Sequence, residues 1–545
     1  MTTTVYRNAT VFIGDGRPAP AQALAVTDGR LVAVGEDRTV AAIAGEGARD
    51  VDLGGAFVTP GITESHAHML MLGEALDKVG LRDCGSVAEV QDRLRSAYAR
   101  NPQTPRIQGV SWRFDIFAPG QRPTAAMLDA VVDDVPVILD ANDLHSAWVN
   151  SAALEAMGIT DDTPNPVGGE IVRDDEGHAT GFLLETAAVQ YAWAYAEAVA
   201  GETDRDRYLD NAFSAYLRTG VTAATDMAFG PGDLSVFIRR LERDGRLPFP
   251  VTAHWMLTAT GDRTADLAQV AEVLRAREEI ARRWGEKWLS IVGVKFILDG
   301  VIDACTAAMR DPYANGEAPG PIWEREFALP IAVACDAEGL QLAMHAIGDE
   351  ASTIALDMVE ACVQVNGPRS SRRPRVEHLE YVADDTIARM AALGVTASMQ
   401  PVHCDPAILD NWKAQLGEPR SEAGFPWHKF RAAGVPIALG TDAPTAPHES
   451  FDNLFIATTA RSVLEPARDA YRPERVFSPA EALEALTFGG ARATGREHEF
   501  GSLQAGHRAN LVVWDFDPRC TEPAQLIGAD AALTLVDGEV AHRRA

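Results

Sequence analysis

Long hydrophobic runs are missing from this 545-residue chain. No stretch approaches the ~20 apolar residues of a helical membrane span. The first residues, Met1-Thr2-Thr3-Thr4-Val5-Tyr6-Arg7-Asn8, lack a basic head followed by an apolar run, which predicts no secretory signal. Asn8-Ala9-Thr10 matches a glycosylation acceptor but, without a secretion route, carries no weight. Cysteine is scarce: there are six, at 84, 305, 335, 362, 404 and 520, with no close pairing. That usage predicts reduced thiols and a cytoplasmic protein, not a disulfide frame. Positive charge is short as well, with 49 Lys and Arg against 78 Asp and Glu and a net charge of -29. Such a surface repels phosphate backbones and anionic membranes, so neither nucleic acid nor a membrane is an expected partner.

What is present suits a soluble globular protein, with 46% hydrophobic and 23% charged residues. The length exceeds one simple core, so one large domain with additions is expected. Residues 1–57 alternate short apolar runs with turns, as in Thr10-Val11-Phe12-Ile13 before Gly14-Asp15-Gly16. Similar strands return at 510–515 and 532–540. Neither piece can bury a core alone, so 1–57 and 500–545 are predicted to build one composite β-sandwich.

Between them, strand-like and helix-like segments alternate. After an opening strand read over Val58 to His68 come 221–226, 251–256, 294–299, 342–345, 375–379, 395–399 and 437–442. Helical stretches near 205–218, 264–284, 325–338, 350–364 and 384–392 separate them. Eight such units predict an α/β protein with a closed (β/α)8 TIM barrel across 58–499. A doubly wound open sheet is the alternative, but no Gly-x-Gly-x-x-Gly follows an early strand. The gap between strands one and two is too long for a loop, so an inserted subdomain is expected at about 75–200.

On a strand, His66 and His68 point to one face, roughly 7 Å apart at the backbone. Both imidazoles can reach one ion, at about 2.0–2.1 Å for zinc. Alone, such a pair could equally share core hydrogen bonds. Barrel active sites form at the carboxyl ends of the strands. There the sequence places His66 and His68 (strand one), Lys295 (four), His345 (five), His378 (six) and Asp442 (eight). Lys295 is the most informative, because its strand is otherwise apolar and an unpaired ammonium there is costly. Burial drives a lysine to lose its proton. The neutral amine can add carbon dioxide, and the resulting carbamate is an anionic two-oxygen ligand.

With Pro60-Gly61 before His66-Ala67-His68, this set resembles the amidohydrolase superfamily. Leu144-His145-Ser146-Ala147-Trp148-Val149-Asn150, His345-Ala346-Ile347-Gly348-Asp349 and Gly440-Thr441-Asp442-Ala443-Pro444 resemble its YtcJ-like branch, which includes N-substituted formamide deformylases. The closing Gly501 to Val513 string fits the branch's return to the sandwich, with Asn510 standing where the family usually has Asp. The resemblance covers nearly the whole chain. It implies a metal-activated water attacking the carbonyl of a small-molecule C–N bond, of amide or N-formyl type. His66, His68 and Asp442 would hold one divalent metal ion and His345 and His378 a second. Carboxylated Lys295 would bridge the two, and Asp442 would carry the proton to the leaving nitrogen. Imidazole and carboxylate ligands suit zinc, with manganese and iron as alternatives. A homodimer is the expected assembly.

Further candidates lie around this set. His145 and Trp112, on the insertion, are substrate-binding candidates, and His145 is a catalytic candidate beside Asp442; one or the other is expected to face the metals, since the insertion leaves from the catalytic end of strand one. His403, after strand seven, is a substrate-binding candidate, and Asp299 and Asp349 could orient ligands. A deaminase or a lactone, carbamate or ester hydrolase on the same frame is the competing enzyme. A non-catalytic assembly barrel is disfavoured because no ligand is missing.

Overall fold

The computed structural model describes residues 3–17, 21–81, 83–118, 121–141, 146–166 and 169–545. Its central sheet has eight parallel strands, named here β1 Ile62–Ala67, β2 Val221–Phe229, β3 Val251–Met256, β4 Leu289–Ile297, β5 Gln341–Ala346, β6 Arg375–His378, β7 Thr396–Met399 and β8 Ile437–Leu439. They are hydrogen-bonded in sequence order from β1 to β8. Their side chains are buried almost throughout. Near-continuous apolar runs are what parallel strands covered on both faces require.

The sheet curls into a barrel whose seam is closed by the turn after β8. Asp442 N–H donates to the His66 carbonyl at 2.9 Å, and Thr441 N–H donates to Glu64 Oε1 at 2.9 Å. Gly440 permits that approach: a Cβ there would lie 2.5 Å from Glu64 Oε1 and 2.7 Å from the His66 nitrogen. Helices follow the strands, and their ends are legible. In Arg263–Trp284, Asp262 caps the start by accepting from Thr264 and Ala265 N–H, and Gly285 ends it at a φ of +68°.

Both termini contribute to the flanking sandwich. One sheet is N-terminal, from Thr4–Arg7, Ala23–Thr27, Arg30–Gly35 and Arg49–Asp52. The other joins Thr10–Val11 and Phe57–Pro60 to Leu511–Trp514, Leu533–Val536 and Glu539–Arg543. One apolar cluster, including Tyr6, Leu24, Val58, Leu511 and Leu535, fills the space between them.

Two boundaries differ from the sequence reading. The segment 58–68 is two strands, because the chain leaves the sandwich at Pro60 and enters the barrel at Ile62. A Cβ at the intervening Gly61 would strike the Thr222 side chain. The segment 532–540 is a hairpin, turned by Asp537 and Gly538 at φ values of +49° and +72°.

The chain divides into two compact units, 1–69 with 213–545, and 70–212. The second is wider than the expected insertion of about 75–200. It carries its own six-stranded sheet and a core that includes Trp112, Trp148 and Phe182. Among the described residues no helix is long and apolar enough to cross a membrane.

Candidate metal centre

The carboxyl ends of β1, β4, β5, β6 and β8 converge on one cavity, lined among others by His66, His68, Lys295, His345, His378, His403 and Asp442. The i, i+2 spacing of β1 works as expected, with the His66 and His68 rings 5.3 Å apart. His378 closes the group, its ring 4.9 Å from His66 and 4.4 Å from His345. Asp442 is the hub. Its oxygens lie 2.8 Å from His68 Nε2, 3.4 Å from His66 Nε2, 3.6 Å from His403 Nε2 and 3.9 Å from His378 Nδ1. His378 and Asp442 both hold left-handed backbone, at φ values of +75° and +59°. Such strain at non-glycine residues persists where the surroundings fix a side chain for use.

The electrostatics suit a cation. Burial, with the charge of Lys295, lowers the pKa of His66 to about 4 and of His345 to about 3. Burial and the neighbouring His345 hold His378 well below the ordinary histidine range. These imidazoles are therefore neutral and have lone pairs to donate. Burial pushes Asp442 upward, yet His66, His68 and His378 outweigh it and hold the carboxyl well below its usual range. Among the described residues, ligand atoms of His66, His378 and Asp442 lie within 4.8 Å of one another. The buried Nδ1 atoms of His68 and His378 have no hydrogen-bond partner. Buried polar atoms without partners are costly, and a cation shared among nitrogen and carboxylate donors would satisfy them. The residues fit a divalent metal.

The sequence model of the amidohydrolase family matches residues 49–542. The chain belongs to the amidohydrolase family. Protein LONG AFTER FAR-RED 3 of Arabidopsis thaliana is 30% identical, covering 98% of this chain and 90% of its own. The N-substituted formamide deformylase of Arthrobacter pascens is 28% identical over 98% of both chains. Among solved structures, an uncharacterized metal-dependent hydrolase from Pyrococcus furiosus superimposes with a TM-score of 0.76 at 26% identity, covering 95% of this chain and all of that one. The family makes this protein a hydrolase of the metal-dependent class, built as a barrel with a flanking sandwich.

Other sequence candidates fare differently in this amidohydrolase. Trp112 belongs to the core of its own unit. Its ring is fully buried among Phe114, Phe117, Trp148 and Phe182, and its indole N–H donates to the Leu139 carbonyl at 2.9 Å. A tryptophan so satisfied is the core of the 70–212 unit. His145 lies outside the described residues. His403 does line the cavity. Asp299 is 3.5 Å from His345 Nε2, but its oxygens mainly accept from the N–H groups of Ala308, Ile347 and Gly348. Asp349 accepts from Arg310 N–H and secures a loop.

The sequence reading missed Glu377. This carboxylate is fully buried and lies 2.8 Å from His66 Nδ1. Arg375 braces it, donating from Nε to Glu377 Oε1 at 2.6 Å and from Nη2 to the Ser65 carbonyl and Ser398 Oγ, both at 2.7 Å. Burial would raise Glu377, but Arg375 and His66 hold it well below the usual range. An ionised acceptor keeps the proton on His66 Nδ1 and turns the Nε2 lone pair toward Lys295 and Asp442. The available signal was the Arg-x-Glu alternation, two charged residues on one face of an otherwise buried strand. We expect Glu377→Gln to weaken metal affinity by about 10–100-fold. Competition with a chelator checks this. The double variant Arg375→Met/Glu377→Gln removes the stranded guanidinium, separating loss of metal from loss of stability.

Proposed function

We propose that this amidohydrolase cleaves the C–N bond of a small-molecule amide, of N-formyl type, with two divalent cations that His66, His68, His345, His378, Asp442 and carboxylated Lys295 would hold. The observation that carries the reading is the setting of Lys295. It is 1% exposed on β4, with its Nζ 3.4 Å from His66 Nε2. Burial brings its pKa down to about 8, against the pull of Glu377 and Asp442. About a tenth of such lysines are neutral at pH 7, against about one in 2,500 for an ordinary lysine. Only the neutral amine adds carbon dioxide, and the anion formed supplies the charge that two cations need between them.

Bound zinc would lower the pKa of water toward neutrality and polarise a carbonyl oxygen. The chain supplies the rest. Asp442 takes the proton from the attacking water and passes it to the leaving nitrogen, so amide and water become one carboxylic acid and one amine. His403 lines the cavity with Nδ1 3.4 Å from Glu380 and Nε2 3.6 Å from Asp442, and as a protonated ring anchored on Glu380 it would turn Nε2–H from Asp442 to the substrate oxygen when substrate enters. The name of the Arthrobacter relative supports the N-formyl choice.

The test strips metal with a chelator in carbon-dioxide-free buffer, then restores zinc with or without bicarbonate. Hydrolysis of an N-formyl amine, read as equal formate and amine, should return only with both, at two zinc ions per chain. The recovery rate of the metal-free protein, at fixed dissolved carbon dioxide, should rise about tenfold per pH unit up to roughly pH 7.5 and flatten above 8.5. The sign follows from the neutral fraction, which grows until pH passes the lysine pKa. Full recovery without bicarbonate defeats the bridging role.

A further inference from the structure

Four arginines, Arg369, Arg372, Arg373 and Arg375, fall close together in a chain whose acids outnumber its bases by 78 to 49. Arg375 turns into the barrel to brace Glu377. The other three help to line a second cavity, of about 300 Å³, together with Asp336 and Gln341. It lies at the end of the barrel opposite the metal centre, for Gln341 opens β5 and Arg373 stands just before β6. No group of the proposed hydrolysis lies in it.

The charges there do not balance. Asp336 is the one carboxylate on the described wall. Its Oδ1 accepts from Arg372 Nε at 2.7 Å, and its Oδ2 accepts from Arg372 Nη2 and Asn366 Nδ2, both at 2.8 Å. Arg369 Nη2 crowds the same Oδ2 at 2.5 Å. One carboxylate thus serves two guanidiniums and an amide. Arg373 pairs with Glu497 Oε1 at 2.6 Å. Among the described residues no other carboxylate is within ion-pair reach of these side chains, so three guanidiniums meet two acids. The side chains of Arg369, Arg372 and Arg373 are 33%, 10% and 35% exposed. Charges so enclosed are screened less than exposed ones. Arg369 Nε is moreover buried without a hydrogen-bond partner, and an unmet buried donor is costly.

Planar guanidinium forks match the oxygens of a phosphoryl group, and such charge-assisted bonds are the strong ones. The cavity holds a small ion, while the net charge of -29 turns away a nucleic-acid backbone. We infer that this cavity binds a small phosphate-type dianion, either inorganic phosphate or the phosphoryl group of a small metabolite. The ligand supplies the negative charge that Asp336 and Glu497 leave short, and its oxygens accept from the arginines. Gln341 already ties this corner to the barrel. Its Nε2 donates to the Arg373 and Ala493 carbonyls, and its Oε1 accepts from His254 Nε2 at 2.8 Å. An anion held there therefore stabilises the folded barrel.

Phosphate also ligates zinc, so the test compares zinc-loaded full-length proteins of equal metal content. Inorganic phosphate is titrated by calorimetry with ionic strength held constant by chloride. Arg369→Gln/Arg373→Gln should bind it at least tenfold more weakly than the wild type, and phosphate should raise the unfolding temperature of the wild type more than that of the variant. Equal affinity in the two proteins, as binding at the metals alone would give, overturns the inference. So does no binding to the wild type at ~10 mM phosphate. Arg373→Lys keeps the charge without the fork and guards against misfolding of the double variant. It should weaken binding about threefold or more, and no weakening overturns the inference. Phenyl phosphate separates the two sources. Tighter binding than phosphate assigns the site to a phosphorylated metabolite, weaker binding assigns it to the free ion, and either supports the site.

Discussion

Lys295→Arg yields a folded protein with no measurable hydrolysis, a loss of at least about 10⁴-fold, or ~5.5 kcal/mol of transition-state stabilisation. The position is 1% exposed, between Val294 and Phe296, which are both fully buried on β4. Arginine keeps its proton under all working conditions and cannot form a carbamate. Its guanidinium would sit where the Lys295 amine lies 3.4 Å from His66 Nε2. Like-charge repulsion with incoming cations then adds to the cost of burial, and the two act in the same direction. Metal analysis should accordingly find fewer than two ions per chain. Lys295→Ala lacks the charge as well as the ligand, and short carboxylic acids should restore part of its metal and activity by occupying the vacated space. Circular dichroism and the unfolding temperature separate these effects from misfolding. An active, zinc-loaded wild-type enzyme whose Lys295 is a bare amine by mass spectrometry and crystallography would sink the bridging role.

Lys295 is also where the sequence was most legible. One charged residue in a strand of apolar neighbours needs an explanation from composition alone, and the fold places it among the histidines. The eight strands and their helices were legible for a related reason, since buried parallel strands and amphipathic helices each print their period on the chain. The need for glycine at the Gly61 break was not, because the side chain that excludes a Cβ there, Thr222, is more than 150 residues away in sequence. Glu377 was missed on the same grounds: a carboxylate is visible in the string, but its partner His66 is 311 positions distant. Trp112 shows the limit of family-like strings as a guide to a side chain's surroundings. Proximity to family-like strings suggested a pocket wall, whereas its N–H and ring are both satisfied within the 70–212 core.

Asp442→Asn should lower kcat by about 10³-fold, within the range expected for removing a general base, and change KM little. Asparagine is the informative replacement because residue 442 sits at a φ of +59°. Asparagine tolerates left-handed backbone better than most residues, so the turn that carries Asp442 N–H to the His66 carbonyl is retained. An alanine would confound lost chemistry with added strain. The amide oxygen can still accept where the carboxylate lies 2.8 Å from His68 Nε2, which preserves packing. What disappears is the negative charge shared among His66, His68, His378 and His403, and with it the capacity to take a proton from water and release it to nitrogen. Metal content therefore has to be measured beside turnover. A variant that keeps its ions but loses kcat assigns the proton transfer to Asp442. A variant that loses both assigns residue 442 a ligand role first, and restoring turnover with saturating zinc would then exclude the proton-carrying role. Retention of kcat within tenfold at full metal content would move the proton to His403, which among the described residues is the remaining titratable group paired within 4 Å of the Asp442 carboxylate and not assigned to a metal.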